Sequence, residues 1–445
     1  MGTAIIDSMK SISGLLSISK AAEEIGVSVD TIRRWEKKGL IKSIRNELNH
    51  RLFSIAEIKR IHEKTSNPSD HENNYKILKT KKRNGFTAID LFAGAGGTAL
   101  GLEHAGFKHL LLNEFDKHAV ATLRQNKPDW NVNGEDIHNV DFTKYKGKVD
   151  LVEGGFPCQS FSYAGKGRGF EDTRGTLFHE FARAVKEVEP KVAIGENVRG
   201  LLTHDGGRTL ETMVTILQDL GYKVAYKVMR SQYLDVPQKR ERLVIVAVRK
   251  DVDSQLLFPK ERDYTISMRE AIGDNPKSDG QQYSERKFEI MKQVPQGGYW
   301  RDLSDELQRE YMKASYFHTG GKTGMARRLA WDEPSLTLTC NPAQKQTERC
   351  HPDETRPLNV REYARIQTFP DEWQFAGSVS AQYKQIGNAV PVNLGYYMGI
   401  AAAAMISGVN DDNLEAVDPI GEVVTETIEA PYVPDVPKLV PLFDI

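Results

Sequence analysis

From Phe86 onward, short apolar runs alternate with stretches of helical periodicity, and no other feature constrains the fold as strongly. The runs Phe86–Phe92, His109–Phe115, Val149–Val152, Lys191–Ile194 and Leu243–Val248 each read as a buried strand. Strands that alternate with helices build βαβ units and a largely parallel sheet, an α/β architecture. In such sheets ligands bind just beyond the carboxyl ends of the strands, so the residues that follow each run are where chemistry is expected. The alternation is lost between Asp251 and about Asn341, which reads as a smaller domain suited to recognising a partner.

The most reactive of these strand ends is Gly154-Gly155-Phe156-Pro157-Cys158-Gln159-Ser160-Phe161-Ser162. It places a thiol where a strand gives way to a loop, and the loop continues with Gly165, Lys166, Gly167, Arg168, Gly169 and Arg174. Glu196-Asn197 and the run Gln238 to Arg242 follow later strands. A thiol, a carboxylate and an arginine pair at strand ends point to covalent catalysis on a polar substrate. Gly94, Gly96 and Gly97 follow the first strand, Glu114 ends the second about twenty residues on, and Asp136-Ile137 follows the third. That spacing suits a ligand whose ribose hydroxyls meet an acid. Each feature also has an ordinary reading: a structural cysteine, a salt-bridged surface glutamate, a tight turn. Gly320-Gly321-Lys322-Thr323 imitates a phosphate loop, but Tyr316 stands where its leading glycine is required.

The 445 residues allow about three domains. The formal charge of −1 means that any nucleic-acid surface is local. Three cysteines supply neither a disulfide framework nor a four-ligand zinc site, so no metal is expected and a reducing cytoplasm fits best. No apolar run approaches the ~18 residues of a membrane span.

Taken together, Asp90-Leu91-Phe92-Ala93-Gly94-Ala95-Gly96-Gly97, the Pro-Cys-Gln loop, Glu196-Asn197-Val198, Gln238 to Arg242, Arg361 to Pro370 and Gln385-Ile386-Gly387-Asn388-Ala389-Val390-Pro391 resemble the DNA (cytosine-5) methyltransferases, in family order from about Thr87 to Met405. The resemblance implies a Rossmann-like sheet that binds S-adenosyl-L-methionine and acts on double-stranded DNA, with the target cytosine flipped out. It implies Cys158 as nucleophile and Glu196 as the acid at ring N3. Arg242 would meet the ring O2 and Arg240 would hold the site or a phosphate, with Pro157, Gln159 and Asn197 completing the catalytic set. For the cofactor it implies Phe92 and Gly96 at the methionine part, Glu114 at the ribose and Asp136 with Ile137 at the adenine. Asp90, Gly94, Gly97, Phe115, Pro157, Leu177, Asn388 and Val390 complete that pocket. Ser162, Lys166 and Arg174 are expected on DNA phosphates, and Lys345, Gln346 and Arg349 are candidate base readers. A restriction–modification role follows, with a cognate endonuclease as functional partner. A tRNA cytosine methyltransferase of the same fold and a regulator carrying a secondary methyltransferase domain stay open as alternatives.

Residues 1–64 read as a separate module. Ile18 to Ser28 predicts a helix and turn, Val29 to Lys38 a second helix stopped by Gly39, and Asn49 to Phe53 a wing. This resembles the helix-turn-helix of the MerR and excisionase group. It implies Ser28, Asp30, Thr31 and Arg34 on base edges and Arg33 and Arg51 on phosphates, with the operator of its own gene as a target. Residues 65–85 read as a linker, 86–250 as the catalytic domain, 251–350 as the target-recognition domain, 351–409 as a return to the catalytic domain and 410–445 as an acidic, disordered tail. Pro441-Leu442-Phe443 faintly resembles peptides that dock on sliding clamps.

Overall fold

The computed structural model describes residues 15–45, 49–66, 73–157, 176–409 and 411–421. Its centre is a seven-stranded sheet: β1 (Thr87–Leu91), β2 (Lys108–Asn113), β3 (Val132–Asn133), β4 (Leu151–Gly154), β5 (Val192–Val198), β6 (Tyr222–Arg230) and β7 (Glu241–Arg249). Their spatial order is β3-β2-β1-β4-β5-β7-β6. All neighbours are parallel except β7, which runs antiparallel to both β5 and β6. β1, β4 and β5 are buried on both faces, which is why they read as continuous apolar runs. β6 mixes buried, half-buried and exposed positions on the sheet edge and carries no such signal. The order reverses between β1 and β4, so a crevice opens beyond their carboxyl ends.

The chain returns to this sheet late. Helix α6 (Val392–Ser407) packs on α4 (Gly97–His104), the helix after β1. A Cβ at Gly101 would stand 2.5 Å from the Val392 carbonyl, so only glycine permits this approach. The stretch Val379–Ser407 is long and apolar enough to cross a membrane, but 78% of its most apolar window is buried in the protein, as a core helix would be.

Three expectations from the sequence need correction. Residues 73–85 are a fixed strap: Tyr75 Oη donates to the Arg365 carbonyl (2.9 Å), Leu78 N to Asn393 Oδ1 (2.9 Å) and Thr80 N to the His104 carbonyl (2.8 Å). Within the segment read as a disordered tail, Leu414–Val417 is a strand that pairs antiparallel with Leu256–Pro259. Leu256, Leu257 and Phe258 also belong to the core on the sheet, whereas the recognition domain has its own core around Met291, Trp300, Met312 and Cys350. That domain therefore begins well after 251.

The N-terminal module holds α1 (Ile18–Ile25), α2 (Val29–Lys37) and α3 (Ile55–Ser66) on a three-stranded antiparallel sheet. Ser17 caps α1 and Ser28 caps α2, each accepting a backbone N–H of the first turn. Ala21, Ile32, Trp35, Phe53 and Ile58 form its core. The module does not stand apart. The α2 end of the turn lies against the recognition domain, where Ser28 N donates to the Gln296 carbonyl (3.0 Å) and Ser28 Oγ to that of Gly297 (3.2 Å).

Candidate functional site

The crevice floor is the turn from Phe92 to Gly97. Phe92, Gly94 and Gly96 all have positive φ. A Cβ at Gly97 would lie 2.0 Å from the Val390 carbonyl, so the glycine is required by the backbone of the last motif. Glu114 braces this turn: its carboxylate accepts Gly94 N (2.7 Å) and Asp116 N (2.6 Å). Beside it Phe115 is 72% exposed, an apolar ring left uncovered at a strand end. Asp136 caps the short helix Ile137–Asn139; His138 Nδ1 at 2.6 Å holds its carboxyl below the usual range, and Ile137 is buried beneath. Leu177, half-buried, opens α5 (Leu177–Val188). Val390 is buried, while Asn388 is exposed and its Oδ1 accepts from Cys340 Sγ (3.0 Å). Asp90 departs from the expected role. It is only 1% exposed inside the sheet, so it cannot line an open pocket.

Next to Asp90 stands Glu153 on β4, its register partner, equally buried. Among the described residues both Asp90 oxygens and Glu153 Oε1 are buried with no hydrogen-bond donor. Burial pushes Asp90 up to about 8 and Glu153 well up, with Asp90 and then Glu196 as further causes for Glu153. With no cation beside them among the described residues, two such groups cannot both be charged, so they hold at least one proton at neutral pH. Sequence reading missed Glu153. The only signal was an acid, Glu153, directly after an apolar run.

Glu196 lies on β5 two residues beyond Ile194, the residue in register with Glu153. Its Oε1 is 2.6 Å from Arg242 Nε, and both side chains are about nine-tenths buried. A Cβ at Gly155 would come within 3.1 Å of Glu196 Oε2, so the carboxylate abuts the Gly-Gly-Phe-Pro turn. Asn197 Nδ2 donates to the Phe156 carbonyl (2.8 Å) and fixes that turn from the neighbouring strand. Pro157, exposed, is the last described residue before the expected nucleophile. Cys158, Gln159, Ser162, Lys166 and Arg174 lie outside the described residues. Arg240 is a strut rather than a free guanidinium. It is buried and donates to the carbonyls of Leu338 (3.3 Å) and Gly387 (3.1 Å), tying the strand-end motif to the recognition domain and to the last motif.

Geometry and resemblance lead to one family. Residues 86–402 match the C-5 cytosine-specific DNA methylases, and residues 17–53 match the MerR family regulatory proteins. The chain belongs to the C-5 cytosine-specific DNA methylase family. This methylase is 55% identical over 406 residues to the Type II methyltransferase M.Eco47II of Escherichia coli, covering 88% of this chain and 96% of the relative. It is 51% identical over 412 residues to the Type II methyltransferase M.PspPI of a Psychrobacter strain, covering 90% and 98%. Among solved structures, a putative DNA modification methyltransferase encoded within an Escherichia coli prophage shares the fold, with a TM-score of 0.52, 23% identity and coverage of 72% of this chain and 98% of that one. The methylase uses S-adenosyl-L-methionine, and the crevice fits it: a glycine turn without side chains, an anchored carboxylate at Glu114 and an uncovered ring at Phe115.

The DNA-reading residues expected in the methylase are where the structure differs most. Arg349 is buried and donates to the carbonyls of Thr337 (3.1 Å) and Glu348 (2.6 Å), so it reads no base. Lys345 is half-buried over the Tyr311 ring, and Gln346 is exposed. In the N-terminal module Ser28 and Thr31 are buried against Gln296 and Gly297, and Arg34 is spent on the recognition domain. Arg34 donates to both Asp332 oxygens (3.2 and 2.5 Å) and pairs with Glu333 (3.2 Å), while Trp35 Nε1 donates to Asp332 (2.8 Å). Glu333 in turn pairs with Lys239, the neighbour of Arg240 (2.5 Å). Ser28, Thr31 and Arg34 are therefore not available to base edges in this arrangement. Arg33 and Arg51 remain exposed, paired with Asp30 (2.9 Å) and Glu36 (3.2 Å).

Proposed function

We propose that this methylase modifies a flipped-out cytosine in a specific duplex sequence, as the modification half of a restriction–modification pair in the bacterial cytoplasm. The observation that carries this reading is the buried Glu196–Arg242 pair packed against the turn that leads into Cys158. Cytosine carbon 5 is a poor nucleophile until another nucleophile adds at carbon 6. Cys158 thiolate supplies that addition. Glu196 delivers a proton to ring N3 as negative charge develops, and Arg242 stays at hand for the ring O2 and to orient the carboxyl. Bound S-adenosyl-L-methionine supplies an electrophilic methyl group to carbon 5. The carbon-5 proton then leaves to water, the thiolate is expelled and the N3 proton returns to Glu196, which restores the enzyme. Both ring faces must be free for this, so the base has to leave the duplex stack.

The test is a duplex carrying 5-fluorocytosine at the target, found by bisulfite sequencing of DNA from an expressing host. Wild type should be trapped covalently and Cys158→Ala should not. Trapping of the alanine variant would remove Cys158 from the mechanism.

For the N-terminal module we propose a resident role as a brace of the recognition domain, supported by the Arg34–Asp332 and Arg34–Glu333 ion pairs. Operator binding through α2 would require those pairs to open. Footprints over the upstream region should be absent or weak for wild type and appear or strengthen for Asp332→Ala. A strong wild-type footprint that is lost in Arg33→Ala, with α2 still docked, would overturn the brace-only reading.

A further inference from the structure

Two acids stand in the sheet where apolar side chains belong. Asp90 on β1 and Glu153 on β4 are register partners on parallel strands, so their side chains leave the same face. Ala88 and Leu151, two residues earlier on each strand, join the core formed with Leu102 of α4 and Leu394 of α6. The acids therefore lie in that layer, beneath the two helices. No N–H or O–H of another described residue meets either Asp90 oxygen or Glu153 Oε1. The two carboxyls meet each other at hydrogen-bonding range, and two acids share such a contact only around a proton. Burying them without a cation costs more than an apolar pair of similar size, so packing alone does not account for them.

Glu153 is in register with Ile194, so Glu196 is the next position on the same face of β5. Diagonal neighbours of this kind have Cα atoms ~7–8 Å apart, within reach of two glutamate side chains. The next position on that side after Glu153 is Gly155, and a Cβ there would come within 3.1 Å of Glu196 Oε2. The glycine thus leaves the space between the two carboxyls open. The other charges around them are few. Glu114, just beyond β2, acts on Asp90, and Arg242 and Arg240 lie on the far side of Glu196. Helix α6 has no charged residue; α4 has His104 in its last turn and Glu103, which is held by Lys127 and Trp130.

We infer that the Asp90–Glu153 pair is the proton reserve of Glu196, with Glu153 as the positioning residue that passes one proton to the Glu196 carboxylate when the cytosine ring arrives. Glu196 is ion-paired to Arg242, and a carboxylate has no proton of its own to deliver. In the transfer the Glu153 O–H bond breaks and an O–H bond forms on Glu196. The charge left on Glu153 is stabilised by the proton that Asp90 still holds. Glu196 then protonates ring N3, and when the thiolate is expelled the N3 proton returns by the same route. Burial keeps Asp90 protonated up to about pH 8, so the pair can release one proton and retain the other across the neutral range. This rests on the reading of Glu196 as the acid at N3.

The experiment measures single-turnover methylation of a target duplex by the full chain at pH 6, 7 and 8, as the ratio of variant to wild-type rate, which cancels the thiol titration common to both. Glu153→Gln keeps the shape, and its amide can donate to Asp90, so a merely structural carboxyl would tolerate it. The reserve reading expects a ratio that falls by up to about ten-fold per pH unit, because Glu196 must then take its proton from solvent. Asp90→Asn should show the same decline beginning at higher pH. Affinity for S-adenosyl-L-homocysteine and for the duplex should stay unchanged in both. A ratio near one, or one equally low at every pH, would overturn the reserve. Loss of S-adenosyl-L-homocysteine binding in both variants would do the same, since the pair would then be part of the scaffold. Wild-type turnover in Glu196→Gln would instead remove the acid on which the inference rests.

Discussion

The carboxyl edge of the sheet and the N-terminal module both gather residues that sequence motifs single out, but they use them in opposite ways. At the sheet edge the Gly94–Gly97 turn, Glu114, Phe115 and Glu196 converge on a crevice and leave it open. In the module Ser28, Thr31, Arg34 and Trp35 also converge, but on Gln296, Gly297 and Asp332 of the same chain. A motif specifies a local backbone and a set of side chains. What those side chains do depends on whether another part of the protein covers them, and that is a long-range property.

The sharpest way to break the open edge is Gly97→Ala. The new methyl group would meet the Val390 carbonyl at 2.0 Å, so the turn has to move. The expected loss is about 4 kcal/mol or more of stability, with cofactor binding abolished in calorimetry. The closed face is tested by Arg34→Ala, which leaves Asp332 largely buried without its main cation. About 3 kcal/mol should be lost in urea unfolding, the low end for buried pairs because the two side chains keep 19% and 10% exposure. Rapid proteolysis ahead of residue 73 should accompany it; unaltered unfolding would mean the module is only resting on the recognition domain. Glu196→Gln keeps the shape but cannot deliver a proton. Turnover should fall by about 10²-fold at unchanged S-adenosyl-L-methionine affinity.

The smallest effect is a pH slope. Asp90 is raised to about 8 in the folded protein, whereas the unfolded chain ionises near its ordinary value of 3.8. Between those values the native state binds more protons than the unfolded state, so this group's contribution is complete at low pH and is lost as pH rises toward 8. Each extra bound proton corresponds to ~1.4 kcal/mol per pH unit at most. Asp90→Asn should flatten the decline in melting temperature between pH 5 and 8; a parallel decline in both proteins would show that Asp90 does not carry the extra proton.

Much of the sheet was legible because β1, β2, β4, β5 and β7 are apolar runs bounded by polar turns. β6 was not, because an edge strand with one wet face resembles many surface segments. Glu114 and Glu196 could be named from strand-end position and family resemblance. Glu153 could not, because its significance comes from Asp90 on the next strand, 63 residues earlier in the chain, and register is invisible in one dimension. Arg349 and Arg34 misled for one reason. An arginine in a polar segment reads as exposed, but a guanidinium can also bridge carbonyls or carboxylates between distant segments, as both do here.

The partner that covers α2 has a consequence during synthesis. Asp332 lies 298 residues after Arg34, and a bacterial ribosome adds about 5–20 residues each second. The module, which ends with α3 at Ser66, is therefore complete for roughly 13–53 s before Asp332 exists. Throughout that interval the nascent chain displays Arg34 without Asp332, and for most of it Ser28 and Thr31 without Gln296 and Gly297. A helix-turn-helix that is closed in the finished enzyme is open on every polysome making it.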